Sequence, residues 1–284
     1  MDSDAERSFF VTMWSDAAEV YLFALHCGLK LILKGAIGLG LRFWISPVGY
    51  WRVLVNGIVL AKARHYSAAR VLDLSSPKLM SLMLAARTGA DVTATDLDDP
   101  RIFDRWKRAA DLMGISARYR VEFQDAQRLP YPDRSFDFVY SISVIEHIPG
   151  DGDGAAIREI ERVLCPGGTA VVEVPLRATY TEHFRNTDSK GAPTDTPVFY
   201  ERHYDVPALR ARLTLDHLPS QIMLLGERMA FDPLISGNML PRWLRILVCP
   251  FEPPAAFLNY KVVTEKSMAR PLAAVLTYRK PSQP

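Results

Sequence analysis

Between residues 69 and 176 the chain alternates short β-like runs with helix-patterned segments, and that alternation limits the fold more than any other feature. Ala69–Leu74 (ARVLDL) is an apolar run that closes on an acid. Lys78–Arg87 has helical spacing, with Leu79, Leu82, Met83 and Leu84 close to one face. Asp91–Asp96 (DVTATD) is β-branched and again ends in Asp. Pro100 suits the first turn of a helix that Ile102–Met113 carries on to Gly114, a C-cap residue. Arg120–Phe123 and Phe136–Ser141 read as two further strands. Ala155–Leu164 reads as a helix stopped by Pro166-Gly167-Gly168, and Thr169–Val174 as a fifth strand. Strands alternating with helices at this spacing predict βαβ units, a parallel sheet and an α/β fold with helices on both faces.

Sheets of this kind bind ligands outside the carboxyl ends of their strands, near the switch point. Four polar residues fall at those ends: Asp73, Asp96, Asp125 and Ser141. Asp96 follows Asp73 by 23 residues, close to the spacing at which a doubly wound fold places an acid for a ribose diol. The alternative is a surface residue starting the helix cap Leu97-Asp98-Asp99-Pro100. Asp125, in Gln124-Asp125-Ala126, follows the third strand, where its carboxylate could accept from an adenine amino group or simply shape a turn.

Three segments in combination, Leu129-Pro-Tyr-Pro-Asp-Arg-Ser-Phe-Asp-Phe-Val-Tyr-Ser141, Val144-Ile-Glu-His-Ile148 and Arg162-Val-Leu-Cys-Pro-Gly-Gly168, resemble the class I S-adenosylmethionine-dependent methyltransferases of the small-molecule type. The resemblance covers about residues 69–176 and extends only loosely over the last hundred. It implies a Rossmann-like, seven-stranded, mostly parallel sheet whose last strand is antiparallel, with Ser220–Met229 and Leu272–Tyr278 as its final two strands. It implies S-adenosyl-L-methionine as cofactor. Asp73 and the turn Ser75-Ser76-Pro77 would border it, with Asp96 and Leu97 at the ribose, Asp125 and Ala126 at the adenine, and Ser141 at the methionine end. The first turn departs from the family: it reads Asp73-Leu-Ser-Ser-Pro-Lys-Leu79, with Ser75, Pro77 and Leu79 at the usual glycine positions. Glycine serves there because backbone must approach a ligand closely and positive φ is favoured, and Pro77 removes an N–H as well. A nicotinamide-dependent reductase on the same sheet would want GxGxxG after the first strand, and the chain has none. It has no P-loop, HExxH or GxSxG either.

On the acceptor side, His147 follows the fourth strand and its ordinary pKa suits a general base, or else it caps and packs a helix. The region after the fifth strand, read as a polar loop, offers His183, His203 and Tyr204 as substrate contacts or as ordinary solvated residues. Upstream, Gly49-Tyr50-Trp51-Arg52 offers Tyr50 and Arg52 to close over the site, Arg52 as a carboxylate ligand. No metal site is expected: Cys27, Cys165 and Cys249 are far apart and form no CxxC pair, which fits reduced thiols in a cytoplasmic protein. Asp2, Asp4 and Glu6 are acidic where a secretory signal would be positive.

The 284 residues divide into an apolar, basic N-terminal helical cover over 1–67 and a methyltransferase domain over 68–284, with an insertion at about 230–265. Net charge of +2 argues against a nucleic-acid partner. Charge is unevenly spread, however: from Val20 to Leu72 there is no acid, against Lys30, Lys34, Arg42, Arg52, Lys62, Arg64 and Arg70. The apolar stretches 20–61 and 240–263, the second with Trp243, Leu244, Ile246, Leu247, Phe251 and Phe257, tilt the acceptor towards a small hydrophobic or lipid-like molecule. Three roles for the basic stretch stay open: pocket wall, homodimer surface, or peripheral contact with an anionic membrane. The expected activity is methyl transfer, and the alternative is a degenerate fold serving as a non-catalytic binding or scaffold subunit, as the altered first turn suggests.

Overall fold

A computed structural model describes residues 3–66, 69–97, 100–188, 192–215, 217–218, 220–231 and 247–282. Three helices lead: α1 (Ser3–Leu33), α2 (Ile37–Ile45) and α3 (Val53–Ala63), the last entered through a 3-10 turn at Tyr50–Arg52. The alternating region follows as β1 (Arg70–Asp73), α4 (Leu79–Arg87), β2 (Asp91–Asp96), α5 (Pro100–Met113), β3 (Tyr119–Phe123), β4 (Phe136–Ile142), α6 (Gly152–Val163) and β5 (Leu164–Pro175). The remainder is β6 (Thr181–Thr187), β7 (Pro193–His203), α7 (Val206–Leu213), β8 (Ser220–Glu227), α8 (Glu252–Asn259), β9 (Tyr260–Val263) and β10 (Pro271–Arg279).

The main sheet runs β3-β2-β1-β4-β5-β10-β8-β9. β1 through β5 are mutually parallel, and β10 runs antiparallel to both β5 and β8. The sheet has eight strands rather than the expected seven, because β9 adds an antiparallel edge to β8, with Leu224 opposite Val263. The segment expected as a polar loop after β5 is a separate hairpin, β6 against β7. Pro166-Gly167-Gly168 lies just beyond the helix end, as expected, since α6 stops at Val163; these residues fall inside β5, which starts at Leu164, where an irregularity separates the Phe136 and Phe138 pairings. The insertion's Trp243, Leu244 and Ile246 lie outside the described residues.

Alternation along the strands separates two apolar layers. Val71, Val92, Phe138, Tyr140, Val171 and Val275 face α1, α3, α4 and α5 in one continuous core. Leu72, Val139, Val172, Val174 and Leu276 face Ile157 and Ile160 of α6 and Leu209 and Leu213 of α7. The N-terminal helices therefore share a core with the sheet. α3 crosses α1 so closely that a Cβ on Gly57 would stand 2.3 Å from Met13 O and 2.9 Å from Ala17 N. Arg64, just past α3, pairs with Asp16 and Glu19 of α1. No single helix among the described residues is long and apolar enough to cross a membrane.

Candidate active site

The first strand delivers Asp73 into full burial, and the chain must turn sharply beyond it. Ser75 makes that turn with φ of +58°, in the left-handed region where a side chain is disfavoured by roughly 1–2 kcal/mol. Side chains and backbone hold it in place of glycine. Leu74 N donates to Tyr140 O (2.8 Å), Ser75 N to Asp73 O (3.1 Å) and Ser76 N to Asp73 Oδ1 (2.9 Å). Ser76 Oγ accepts from Ile142 N (2.9 Å), and Ser141 Oγ donates to Leu74 O (3.3 Å). Ser76 and Ser141 are thus stitches between the turn and β4, both fully buried. Leu79, at the third glycine position, packs into the core at the start of α4.

Lys78 completes the turn from within. Its ammonium is buried and donates to Ser76 O (2.6 Å) and Thr95 O (2.9 Å). It lies 3.8 Å from Asp73 Oδ2 and 3.4 Å from Asp96 Oδ2. Burial pushes the Asp73 carboxyl above the ordinary carboxylate range, and the Lys78 charge only partly offsets this.

Asp96 stands two residues beyond the level of Asp73, since Asp73 pairs with Ala94. Its side chain is 27% exposed, with Oδ1 accepting from Leu97 N (2.9 Å) and Oδ2 facing Lys78. Leu97 and Phe123 flank it, 52% and 56% exposed, as apolar faces at the ends of β2 and β3. Asp125 follows, with Oδ1 accepting from Gln127 N (2.9 Å), while Ala126 is buried in the core and offers no side-chain surface. A partly exposed carboxylate between two exposed apolar side chains, with a second carboxylate behind, fits a nucleoside: diol to Asp96, base against Leu97 and Phe123, amino group to Asp125. The turn's own N–H groups at 74–76 are spent internally, so this end offers side chains rather than a glycine cradle.

A second polar set lies beside the ends of β4 and β5. Glu173, opposite Ile142 on β5, is buried and accepts from Ser143 Oγ (2.9 Å). Glu146, in the 3-10 turn after β4, is buried with Oε2 lacking any hydrogen-bond partner. Burial drives the Glu146 carboxyl well above the usual range, the Glu173 charge adds to this, and Arg52 opposes it. Burial raises Glu173 too, against Ser143 and Arg52. Arg52 Nε is itself buried and unpartnered. His147 borders Glu146 from the exposed side. It is 39% exposed, its Nδ1 is 2.8 Å from Tyr200 O, and its Nε2 is 3.7 Å from Glu146 Oε1 and 3.9 Å from Glu201 Oε2.

The hairpin carries His183 and His203, with Nε2 of the first 3.2 Å from Nδ1 of the second, and His203 Nε2 3.2 Å from Glu201 Oε1. Burial alone would raise Glu201, yet His203, His147 and His183 together hold it below the ordinary range. Two expected substrate contacts serve the fold instead. Tyr204 is fully buried and donates to Asp153 Oδ2 (2.8 Å), which Arg202 and Arg212 also engage at 2.8 Å. Strand alternation explains this, since Arg202 and Tyr204 share one face of the chain and His203 takes the other. Tyr50 is fully buried too, donating to Glu227 Oε1 (2.6 Å) and accepting from Asn259 Nδ2 (2.7 Å), so it ties the cover to β8 and α8.

Sequence reasoning placed Asp73, Asp96, Asp125 and Ser141 at one sheet edge, and they are there. It passed over Lys78, Phe123 and Glu173. Glu173 had a visible signal: it is the one charge in the otherwise apolar run Thr169–Val174.

Fold order, strand-end acids and the post-β4 turn together define the class I methyltransferase domain. Residues 72–172 match the methyltransferase domain family model, and this chain carries a domain of that S-adenosylmethionine-dependent class. An uncharacterized protein of Mycobacterium tuberculosis is 36% identical over 112 residues, 39% of each chain. The 2-methyl-6-phytyl-1,4-hydroquinone methyltransferase of Synechocystis sp. is 26% identical over 212 residues, 70% of this chain and 59% of that protein. The chain thus spans 39% of the length of the mycobacterial relative. Among solved structures, the cyclase SpnF matches 80% of both chains with a TM-score of 0.52 at 21% identity, a likeness of fold alone.

Proposed function

We propose that this protein transfers a methyl group from S-adenosylmethionine to a small, hydrophobic or lipid-like acceptor bearing one polar group. The observation that carries the reading is the partly exposed Asp96 between Leu97 and Phe123, at the carboxyl edge of a methyltransferase domain. When bound, the cofactor supplies an activated methyl on a sulfonium, whose leaving thioether needs no acid. The chain's tasks are then alignment and exclusion of water. Asp96 orients the ribose, Leu97 and Phe123 hold the base, and the Tyr50–Arg52 turn closes the edge beside β4 and β5.

Glu146 is the group placed to take the acceptor's proton. Its free Oε2 is shielded from water, and its raised pKa brings it nearer the range useful to a base. Arg52 Nε is the donor available to the acceptor's polar atom or to a carboxylate. His147, Glu201, His203 and His183 form a chain of titratable groups from Glu146 towards solvent. The hydrophobic class of acceptor is supported by the hydroquinone methyltransferase relative.

Calorimetric titration with S-adenosylmethionine tests the reading. Binding that Asp96→Ala weakens at least tenfold is expected. No binding at millimolar cofactor sinks it and leaves the second reading, a non-catalytic binding subunit, which Lys78 lodged between the two acids favours.

A further inference from the structure

The helical cover presents a ridge that nothing among the described residues covers. Leu22, Leu29 and Leu33 of α1 and Ile37, Leu41, Trp44 and Ile45 of α2 are all exposed, Leu33 to 78% and Trp44 to 49%. The two helices are tightly locked, so the ridge is fixed in shape. A Cβ on Gly40 would stand 2.5 Å from Gly28 O, and Trp44 Nε1 donates to Leu25 O (3.0 Å). An exposed apolar surface of this extent on a folded domain marks an interaction site.

Charge says what covers it. The ridge falls in the acid-free stretch, and its cations are Lys30, Lys34 and Arg42. Lys30 Nζ and Lys34 Nζ donate to Met113 O (2.9 Å) and Leu112 O (2.8 Å), which seats the hairpin on the end of α5. At the hairpin turn, a cleft of about 420 Å³ lies between residues 35–39 and Asp104, Arg105, Arg108 and Ala109 of α5. Arg105 and Arg108 are exposed, and Asp104 is the only acid in that lining. A second copy of this chain docked ridge to ridge would set these cations against their own kind. An anionic bilayer offers both what the apolar side chains need and the opposite charge.

We propose that the α1–α2 ridge docks this protein on an anionic lipid surface, with the apolar side chains among the acyl chains and headgroup phosphates in the Arg105/Arg108 cleft. The inference rests on the surface and stands apart from methyl transfer. The full chain is sedimented with vesicles of phosphatidylcholine containing about 30 mol % phosphatidylserine, and with phosphatidylcholine alone. Pelleting with the anionic vesicles at low salt is expected, weakened several-fold at about 0.5 M salt. Leu33→Glu with Ile37→Glu, and separately Arg105→Glu with Arg108→Glu, should each weaken it about tenfold while circular dichroism is unchanged. If either pair unfolds, hydrogen exchange of the unaltered chain decides, with vesicle-dependent protection expected over 29–45 and protection only elsewhere overturning the proposal. Absence of binding at low salt overturns it. So does a dimer in light scattering that Leu33→Glu with Ile37→Glu splits into monomers.

Discussion

Lys78 Nζ stands 3.4 Å from Asp96 Oδ2 and 3.8 Å from Asp73 Oδ2, so one buried ammonium joins the acids that end the first two strands. A charge this deep is tolerated only because two carbonyls and two carboxylates surround it. Removing it strands Asp73 without a counter-charge. Lys78→Met should therefore destabilise the fold by about 3–5 kcal/mol, the cost of breaking a buried pair. Adding Asp73→Asn should recover part of that loss. A double-mutant cycle in urea checks the coupling, and simple additivity of the two losses would refute it.

Ser75 occupies a left-handed conformation with φ of +58°. Ser75→Gly should stabilise the protein by about 1 kcal/mol, since glycine adopts that region without steric cost. Urea midpoints at constant m-value report it. An unchanged or lower midpoint would mean that the turn gains more from the serine side chain than it loses in strain.

Glu146 carries a pKa well above the ordinary carboxylate value because burial disfavours its charge and Glu173 is near. The unfolded chain ionises first as pH rises, so Glu146 lowers stability progressively from about pH 4.5 upward until its folded carboxyl also ionises. Glu146→Gln should remove that dependence. The variant's stability advantage over the parent should grow as pH rises above the ordinary carboxylate range, measured by urea unfolding at each pH. If methyl transfer is assayed, its acid limb should vanish along with most of the activity.

Tyr204 donates to the buried Asp153, whose oxygens also take Arg202 and Arg212. Burial raises the Asp153 carboxyl, but Arg212, Tyr204 and Arg202 outweigh it and hold the group below its usual range. Tyr204→Phe should cost about 1–3 kcal/mol, as expected when a hydrogen bond to a buried charged group is lost. Because Asp153 is depressed, the network's contribution is present above the ordinary carboxylate pKa and disappears as pH falls through the folded value. The difference between Tyr204→Phe and the parent should therefore shrink in acid.

Gly57 lets α3 lie against α1, and any Cβ there would meet backbone atoms at 2.3 and 2.9 Å. Backbone cannot step aside as a flexible side chain can. Gly57→Ala should destabilise by about 1–3 kcal/mol despite the better helix propensity of alanine. Thermal unfolding checks the sign: a higher Tm would show that the two helices separate freely.

The α/β layout, the boundaries of α4 and α5, and the convergence of Asp73, Asp96, Asp125 and Ser141 were legible in residue order alone. Apolar periodicity decides which face of an element is buried, and a parallel sheet brings every strand end to one edge. The eighth strand was not legible because its pairing depends on a neighbour distant in sequence, and the β6–β7 hairpin was not because its polar, mostly exposed strands carry no apolar alternation. Val263 becomes edge strand only beside Leu224, and Glu182 pairs with Arg202 across the hairpin.

The partners of polar side chains belonged wholly to the tertiary structure. Tyr50 and Tyr204 carry the same hydroxyl whether they face a ligand or a buried carboxylate, and only packing placed Glu227 and Asp153 beside them. Lys78 reads as an ordinary helix-start lysine until the β1–β2 pairing brings Thr95 and Asp96 around its ammonium. Residue order thus determined the α/β framework and which chemistry gathers at its carboxyl edge, because short-range periodicity and chain direction are local properties. Folding in three dimensions decided which of those groups stay available, because burial, hydrogen-bond satisfaction and charge pairing are properties of neighbours that no local pattern specifies.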